Sequence, residues 1–302
     1  MGANKKTKSD DVQQYVKRGL QEAEHRRYKI ALRHYFKALN LAPENAEVLF
    51  YVGFVYEDLR MLEAALTYYR RALKLAPTMV RAWEYSAVVH HKLRQYEQAL
   101  KCYERAIKLD PHYPYVYYNK AITLAAMGRL DEAIKYYDKT TRLDPKYGLA
   151  YINKGEKLNS LGRYEEALKT FKLALRYDKH ERAYFGLGKA LLALRRQKDA
   201  LKAYQRGLRI DSRNAKAWKS AGEAAFQAKQ FDVAAAAYKK SSELYPWDAN
   251  IYYCIADSLR NHDKIKEARN YIRKGLRRYP SQKNLEALLQ ALSIQEEQHT
   301  SI

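Results

Sequence analysis

A few short stretches of this 302-residue chain hold side chains that could do chemistry, and each has a structural alternative. Gly186-Leu187-Gly188-Lys189 has the glycine spacing of a phosphate-cradling loop. Such a loop needs a strand before the glycines and a turn at them, whereas Gly188 falls inside a helical pattern. His90 and His91 are adjacent and lack the Glu-containing spacing that sets two imidazoles on one helix face around zinc. Cys102 and Cys254 have no metal-ligand spacing, and two cysteines build no disulfide framework. They fit a reducing compartment, so a cytoplasmic location is expected. No nucleophile–base pair or carboxylate pair stands out. The expectation is a non-enzyme with no catalytic residue, no metal and no cofactor. Gly2 invites N-myristoylation, but Lys6 fills the slot where that motif wants Ser or Thr.

What positions the side chains is a repeat. Alanine recurs at 31, 65, 99, 133, 167, 200, 234 and 268, always 34 residues apart except for one step of 33. Four residues later come Tyr35, Tyr69, Tyr103, Tyr137, Phe171, Tyr204, Tyr238 and Ile272. Twelve residues before each alanine stands a small residue: Gly19, Gly53, Ala87, Ala121, Gly155, Gly188, Gly222 and Ala256. Four before that stands a bulky one: Tyr15, Leu49, Trp83, Tyr117, Tyr151, Tyr184, Trp218 and Tyr252. Proline closes six of the eight units, with Lys179 and Ser212 in the other two slots.

Within a unit, two stretches of about 14 residues place apolar side chains three and four apart, the spacing of amphipathic helices. Proline stops the second helix, because it lacks a backbone N–H and disfavours helix at the residue before it. Each hairpin keeps an apolar face that must be buried on a neighbour. The expected fold is therefore all-α, a solenoid of antiparallel hairpins in one continuous body. Beyond Pro280, Leu285, Leu288, Leu289 and Leu292 follow helical spacing and predict a capping helix. The units are expected at 12–45, 46–79, 80–113, 114–147, 148–180, 181–214, 215–248 and 249–280. Residues 1–11 are expected to form a flexible basic tail, and 281–302 the capping helix and a frayed end.

The run Tyr117-Tyr118-Asn119-Lys120-Ala121, then Gly128-Arg129-Leu130-Asp131-Glu132-Ala133, then Leu143-Asp144-Pro145 resembles the tetratricopeptide repeat. The resemblance spans roughly residues 12 to 280. It implies a right-handed superhelical solenoid acting as a protein-interaction scaffold, in which the first helix of each hairpin lines a concave groove for an extended or helical peptide. Carried over by column, that groove includes Phe50, Phe54, Tyr85, Tyr115, Tyr118, Asn119, Ile122, Ile152 and Asn153. Asn119 and Asn153 share a column, and asparagines so placed in the family bond peptide backbone. The two-carboxylate clamp of some members needs Lys-x3-Asn, Asn and Lys-x3-Arg in consecutive repeats, a pattern this chain does not contain. Fourteen of the 28 tyrosines fall in packing columns, and the rest are candidate contacts.

The chain carries 56 Lys and Arg against 34 Asp and Glu, a formal charge of +22. Such an excess attracts nucleic acid, anionic membrane or acidic protein. Much of it lies late in the second helices, from Arg70, Arg71 and Lys74 to Arg273, Lys274 and Arg277. There cations favour the helix dipole, and the family geometry makes that layer convex. The groove columns balance Arg81, Lys92, Arg182, Lys189, Lys216, Lys219 and Arg260 against Glu47, Glu57, Asp58, Glu84, Glu156, Glu223 and Asp257. Within them Arg182, Lys189, Lys216 and Lys219 form a basic cluster suited to an acidic segment of a partner. The alternative is an RNA-associated or anionic-surface-binding protein using the basic convex face. That layer offers no interleaved exposed aromatics in the sequence pattern, so base stacking is not expected.

Overall fold

The structure, a computed structural model, describes residues 8–300, with side chains described through residue 294. Among the described residues there are seventeen α-helices and no strand. In chain order the hairpins are α1 (Lys8–Glu24) with α2 (Tyr28–Leu41), α3 (Ala46–Asp58) with α4 (Leu62–Leu75), α5 (Val80–Lys92) with α6 (Tyr96–Leu109), and α7 (Pro114–Ala126) with α8 (Leu130–Leu143). They continue as α9 (Gly148–Ser160) with α10 (Tyr164–Tyr177), α11 (Glu181–Ala193) with α12 (Gln197–Ile210), α13 (Ala215–Gln227) with α14 (Phe231–Leu244), and α15 (Ala249–Asn261) with α16 (Ile265–Arg278). A last helix, α17, spans Lys283–Thr300. The chain parts into two compact units at Pro145 and Lys146. The N-terminal unit holds the four hairpins α1–α8. The C-terminal unit holds α9–α16 and α17. Each is an all-α solenoid stack of hairpins.

Packing explains the columns. A Cβ added at Gly53 would come within 2.6 Å of the Tyr69 ring, and one at Gly155 within 2.7 Å of Phe171. The small residue of the first helix is the seat of the aromatic from the second, and Tyr35, Tyr69, Tyr103, Tyr137 and Phe171 are fully buried there. Three members of the bulky column tie their first helix to the loop before it. Trp83 Nε1 donates to the Pro77 carbonyl at 2.8 Å, Tyr117 Oη to Pro111 at 3.0 Å and Trp218 Nε1 to Ser212 at 2.9 Å.

A further column sits in the turn between the two helices. Arg26, Arg60, Arg94, Gly128, Gly162, Arg195, Lys229 and Asp263 all adopt φ between 56° and 79°. The next residue's N–H closes the helix by donating back five residues: Met61 to Tyr56 and Arg129 to Leu124, both at 2.9 Å, and Arg196 to Leu191 at 2.8 Å. This is the left-handed Schellman ending, where glycine is the unstrained choice. Six of the eight sites use another residue. Where the proline is missing the next helix has a side-chain cap, His180 Nδ1 accepting from Arg182 N at 3.2 Å and Asn214 Oδ1 from Ala217 N at 3.0 Å. Such caps also follow Pro43 and Pro246, at Asn45 and Asp248.

The terminal assignments need adjustment. Helix α1 begins at Lys8, so residues 8–11 of the expected tail are helical, and residues 1–7 lie outside the described residues. Helix α17 runs on to Thr300, beyond the expected fraying point, and buries Leu285, Leu288 and Leu292. Within the units, α3 touches α5, α5 touches α7, α9 touches α11 and α11 touches α13. The first helices thus form an inner layer in each unit, and the second helices the outer one.

Candidate functional site

In the N-terminal unit the inner face is built from acids and aromatic rings that bond to one another. Glu57, on α3, is buried, accepts from Tyr69 Oη at 3.0 Å and pairs with Lys92 Nζ at 2.6 Å. Glu84, on α5, is likewise buried and accepts from Tyr113 Oη at 2.8 Å and Asn119 Nδ2 at 3.1 Å. Burial raises the Glu84 carboxyl above the ordinary carboxylate range, while those two bonds pull it the other way. Around these acids, Tyr85 meets Phe50 and Phe54 edge-on at 5.5 and 5.4 Å, and the Arg81 guanidinium lies 5.0 Å over the Phe50 ring.

In the C-terminal unit α9, α11 and α13 enclose a cleft of about 460 Å³. Its walls carry Lys157, Arg182, Lys189 and Lys216, the neutral polar residues Asn159, Ser160, Asn214 and Ser220, and the rings of Phe185 and Tyr204. Arg182 is spoken for. It grips Glu156 with two bonds, Nε–Oε1 at 3.0 Å and Nη2–Oε2 at 2.8 Å, and donates to Asn153 Oδ1 at 2.8 Å. Lys157, Lys189 and Lys216 have no carboxylate partner among the described residues. Glu156 is the one acid of the lining, so the cleft presents three uncompensated ammonium groups. Its floor includes Asn159, a buried side chain whose Nδ2 donates to the Gly186 carbonyl at 2.9 Å. Asn159 Oδ1 is fully buried and has no hydrogen-bond donor among the described residues. A buried acceptor left unpaired costs about 1–3 kcal/mol. A cleft lined by one sign of charge concentrates counter-charged ligands. The arrangement can take carboxylates on the lysines. Burial pushes the Tyr204 hydroxyl up to about 12, so it stays protonated and can act as a donor.

The residues expected to line the peptide groove divide by exposure. Phe50 and Ile152 are core residues, and Asn153 is buried against Arg182, so these three do not face a ligand. Column position alone does not decide this, since Phe50 and Ile152 share a column with Tyr118, and Asn153 one with Tyr85 and Asn119. Asn119 is half-buried and its amide is already engaged by Glu84. Phe54, Tyr85, Tyr118 and Ile122 are half-buried and Tyr115 is exposed, so these five are reachable. Of the basic cluster, Arg182, Lys189 and Lys216 line the cleft. Lys219 does not; its Nζ bonds Asp248 Oδ2 at 2.6 Å, at the start of α15. Lys157 and Asn159 also belong to the cleft, near the C-terminus of α9. Lys157 lies outside the groove columns read from the sequence, and Asn159 shares one with Glu57 and Arg260 as an uncharged residue that a charge pattern does not single out. Gly186, in the asparagine column, has no room for a side chain, since a Cβ there would lie 2.1 Å from the Phe171 ring.

The outer layer also departs from expectation. Trp247 is 67% exposed and Tyr245 55%, and the Arg278 guanidinium lies 4.5 Å over the Trp247 ring. Exposed aromatics do interleave with outer-layer bases here. The cause is substitution in the unit-closing loop, where Leu244-Tyr245-Pro246-Trp247 replaces the Leu-Asp-Pro-Lys seen at 143–146.

Comparison with known proteins bears on the family and the fold. Family models described as "Tetratricopeptide repeat" match residues 46–79, 114–147, 152–215 and 185–249, and one described as "TPR repeat" matches 89–128. No curated protein matches the chain. Among solved structures the chain is similar to YrrB, described as a TPR protein with an unusual peptide-binding site. They share 23% identity over 61% of this chain and 96% of that one, with a TM-score of 0.57. It is also similar to a tetratricopeptide repeat protein from Parabacteroides merdae, 16% identical over 82% and 98% of the two chains, TM-score 0.57. A third likeness is to the Cut9–Hcn1 hetero-tetramer of the APC/C, 19% identical over 92% and 55%, TM-score 0.52. At these identities the structures speak to the fold.

Proposed function

We propose that this chain, which belongs to the tetratricopeptide repeat family, acts as a protein-interaction scaffold whose C-terminal unit holds an acidic segment of a partner protein on its first-helix face. The family is one of binding repeats, which makes a scaffold rather than an enzyme the premise. The observation that carries the finer reading is the α9–α11–α13 cleft. It sets Lys157, Lys189 and Lys216 around Asn159, whose buried Oδ1 lacks a donor. Carboxylates answer the ammonium groups, and Ser160, Asn214 and Ser220 offer polar partners to a peptide backbone. A peptide supplies both on one chain. Phe185 offers its extended neighbours an apolar surface. In the N-terminal unit, Phe54, Tyr85, Tyr115, Tyr118 and Ile122 are proposed as a second, more apolar contact face. The cytoplasm is the proposed location, on the strength of the free thiols of Cys102 and Cys254. No helix among the described residues is long and apolar enough to cross a membrane.

The test is a fluorescence-anisotropy titration of the full chain with a labelled twelve-residue peptide rich in Asp and Glu, beside its Asn/Gln counterpart. The acidic peptide is expected to bind at least tenfold more tightly, about 1.4 kcal/mol. The double variant Lys189→Ala/Lys216→Ala is expected to erase that preference. Equal binding of both peptides, or an unchanged preference in the double variant, defeats the reading.

A further inference from the structure

The outer face of the last hairpins has a different composition from the cleft and points to a different ligand. Helix α16 carries Lys266, Arg269, Arg273, Lys274, Arg277 and Arg278 against the single acid Glu267. Two of its neighbouring rings are already paired with cations. The Tyr271 ring has Lys239 Nζ at 5.1 Å and Lys274 Nζ at 5.8 Å, and Trp247 has the Arg278 guanidinium at 4.5 Å. The nearby acids are accounted for. Glu267 pairs with Lys239 at 3.2 Å, Glu243 with Lys240 at 2.8 Å, and Asp248 with Lys219 at 2.6 Å. Arg273, Lys274, Arg277 and Arg278 have no carboxylate partner among the described residues. Trp247 is the most exposed large apolar side chain described, and Tyr245 the next.

From this juxtaposition we propose that the α14–α16 outer face binds single-stranded nucleic acid, with bases stacking on Trp247 and Tyr245 and phosphates on Lys274, Arg277 and Arg278. Three features favour that ligand. The four exposed cations without carboxylate partners among the described residues attract a polyanion. Both rings are flat and exposed, and Trp247 is bordered by the Arg278 guanidinium, the pairing of stacking platform and cation that takes single strands without base-edge readout. A duplex hides its base faces and would leave the rings unused. A lipid surface would use the charge, but immersing Trp247 would carry the Arg278 charge stacked on it out of water, at a cost.

The experiment is a titration of a labelled twelve-nucleotide oligouridylate with the full chain across a salt series. A duplex of the same length and vesicles of 30% phosphatidylserine serve as rivals. The single strand is expected to bind more tightly than the duplex. Trp247→Ala is expected to weaken it about tenfold without changing the salt slope. Arg278→Ala/Lys274→Ala is expected to shallow the slope of log affinity against log salt by about 1.4, two phosphate contacts at ~0.7 each. These side chains are exposed, and circular dichroism checks that the variants keep their helix. Equal affinity for strand and duplex, an unaffected Trp247→Ala variant, or binding to vesicles in place of the oligonucleotide overturns the proposal. The acidic-peptide titration with the same Trp247→Ala variant is expected to be unchanged, which separates this face from the cleft.

Discussion

The inner faces of the two units are cut from the same repeat columns and filled in opposite ways. In the N-terminal unit two glutamates are buried, and each is satisfied by groups of its own unit: Glu57 by Tyr69 and Lys92, Glu84 by Tyr113 and Asn119. In the C-terminal unit three lysines stand around a cleft without carboxylate partners among the described residues, and a buried amide oxygen lacks a donor. The first face spends its polar groups on holding helices together. The second leaves them available. A count of charges in the groove columns makes the two faces cancel, yet Glu57 and Glu84 are buried and bonded within the N-terminal unit, while Lys189 and Lys216 have no carboxylate partner among the described residues. What matters for binding is which charges have a partner inside the fold.

The largest expected effect that would break this contrast is on stability. Glu57→Ala strands the buried Tyr69 hydroxyl and leaves the part-exposed Lys92 ammonium to water, and is expected to destabilise α3–α6 by about 2–3 kcal/mol. Lys189→Ala and Lys216→Ala should each stay within about 0.5 kcal/mol of the parent. Hydrogen exchange in the two units reads both. Equal costs would mean that the lysines are structural too.

Next comes Gly155→Ala, which pushes a methyl group into the Phe171 ring and is expected to cost about 1–3 kcal/mol. At the matching slot of α5 the natural residue is already Ala87, buried without strain. A neutral Gly155→Ala would show that the C-terminal unit tolerates looser first-helix packing than its geometry implies.

The pH dependence should also differ between the units. Because burial raises the folded-state pKa of Glu84, the folded protein holds its proton more firmly than the unfolded chain. Stability of the N-terminal unit therefore falls as pH rises from the ordinary carboxylate range through the raised value. Glu84→Gln should flatten that fall, as followed by thermal unfolding over the same pH range. The smallest effect should be equal in both units. Arg94→Gly and Arg195→Gly relieve left-handed strain in the turns and are expected to gain about 0.5–1 kcal/mol each, measured by chemical denaturation.

The fold was legible because its determinants are local and repeated. The Gly53–Tyr69 and Gly155–Phe171 contacts appear in the sequence as columns sixteen residues apart. The left-handed turns were hidden, since only Gly128 and Gly162 advertise them and six other residues adopt the same φ. The site was legible only in part. Lys189 and Lys216 could be placed on the correct helix face, but the pairing of Lys219 with Asp248 depends on a residue 29 positions away in the next hairpin. Asn119 and Asn153 share a column, yet what each bonds is set by Glu84 and Arg182 on neighbouring helices. Exposure of Trp247 arises from a loop substitution that helical periodicity does not see.

Hydrogen–deuterium exchange of the full chain, with and without the acidic peptide at saturating concentration, tests the central contrast most directly. The expected result is peptide-dependent protection in α9, α11 and α13 around Lys157, Lys189 and Lys216, with α3, α5 and α7 unchanged. Protection centred on α3, α5 and α7, or none in the α9–α13 cleft, would contradict it.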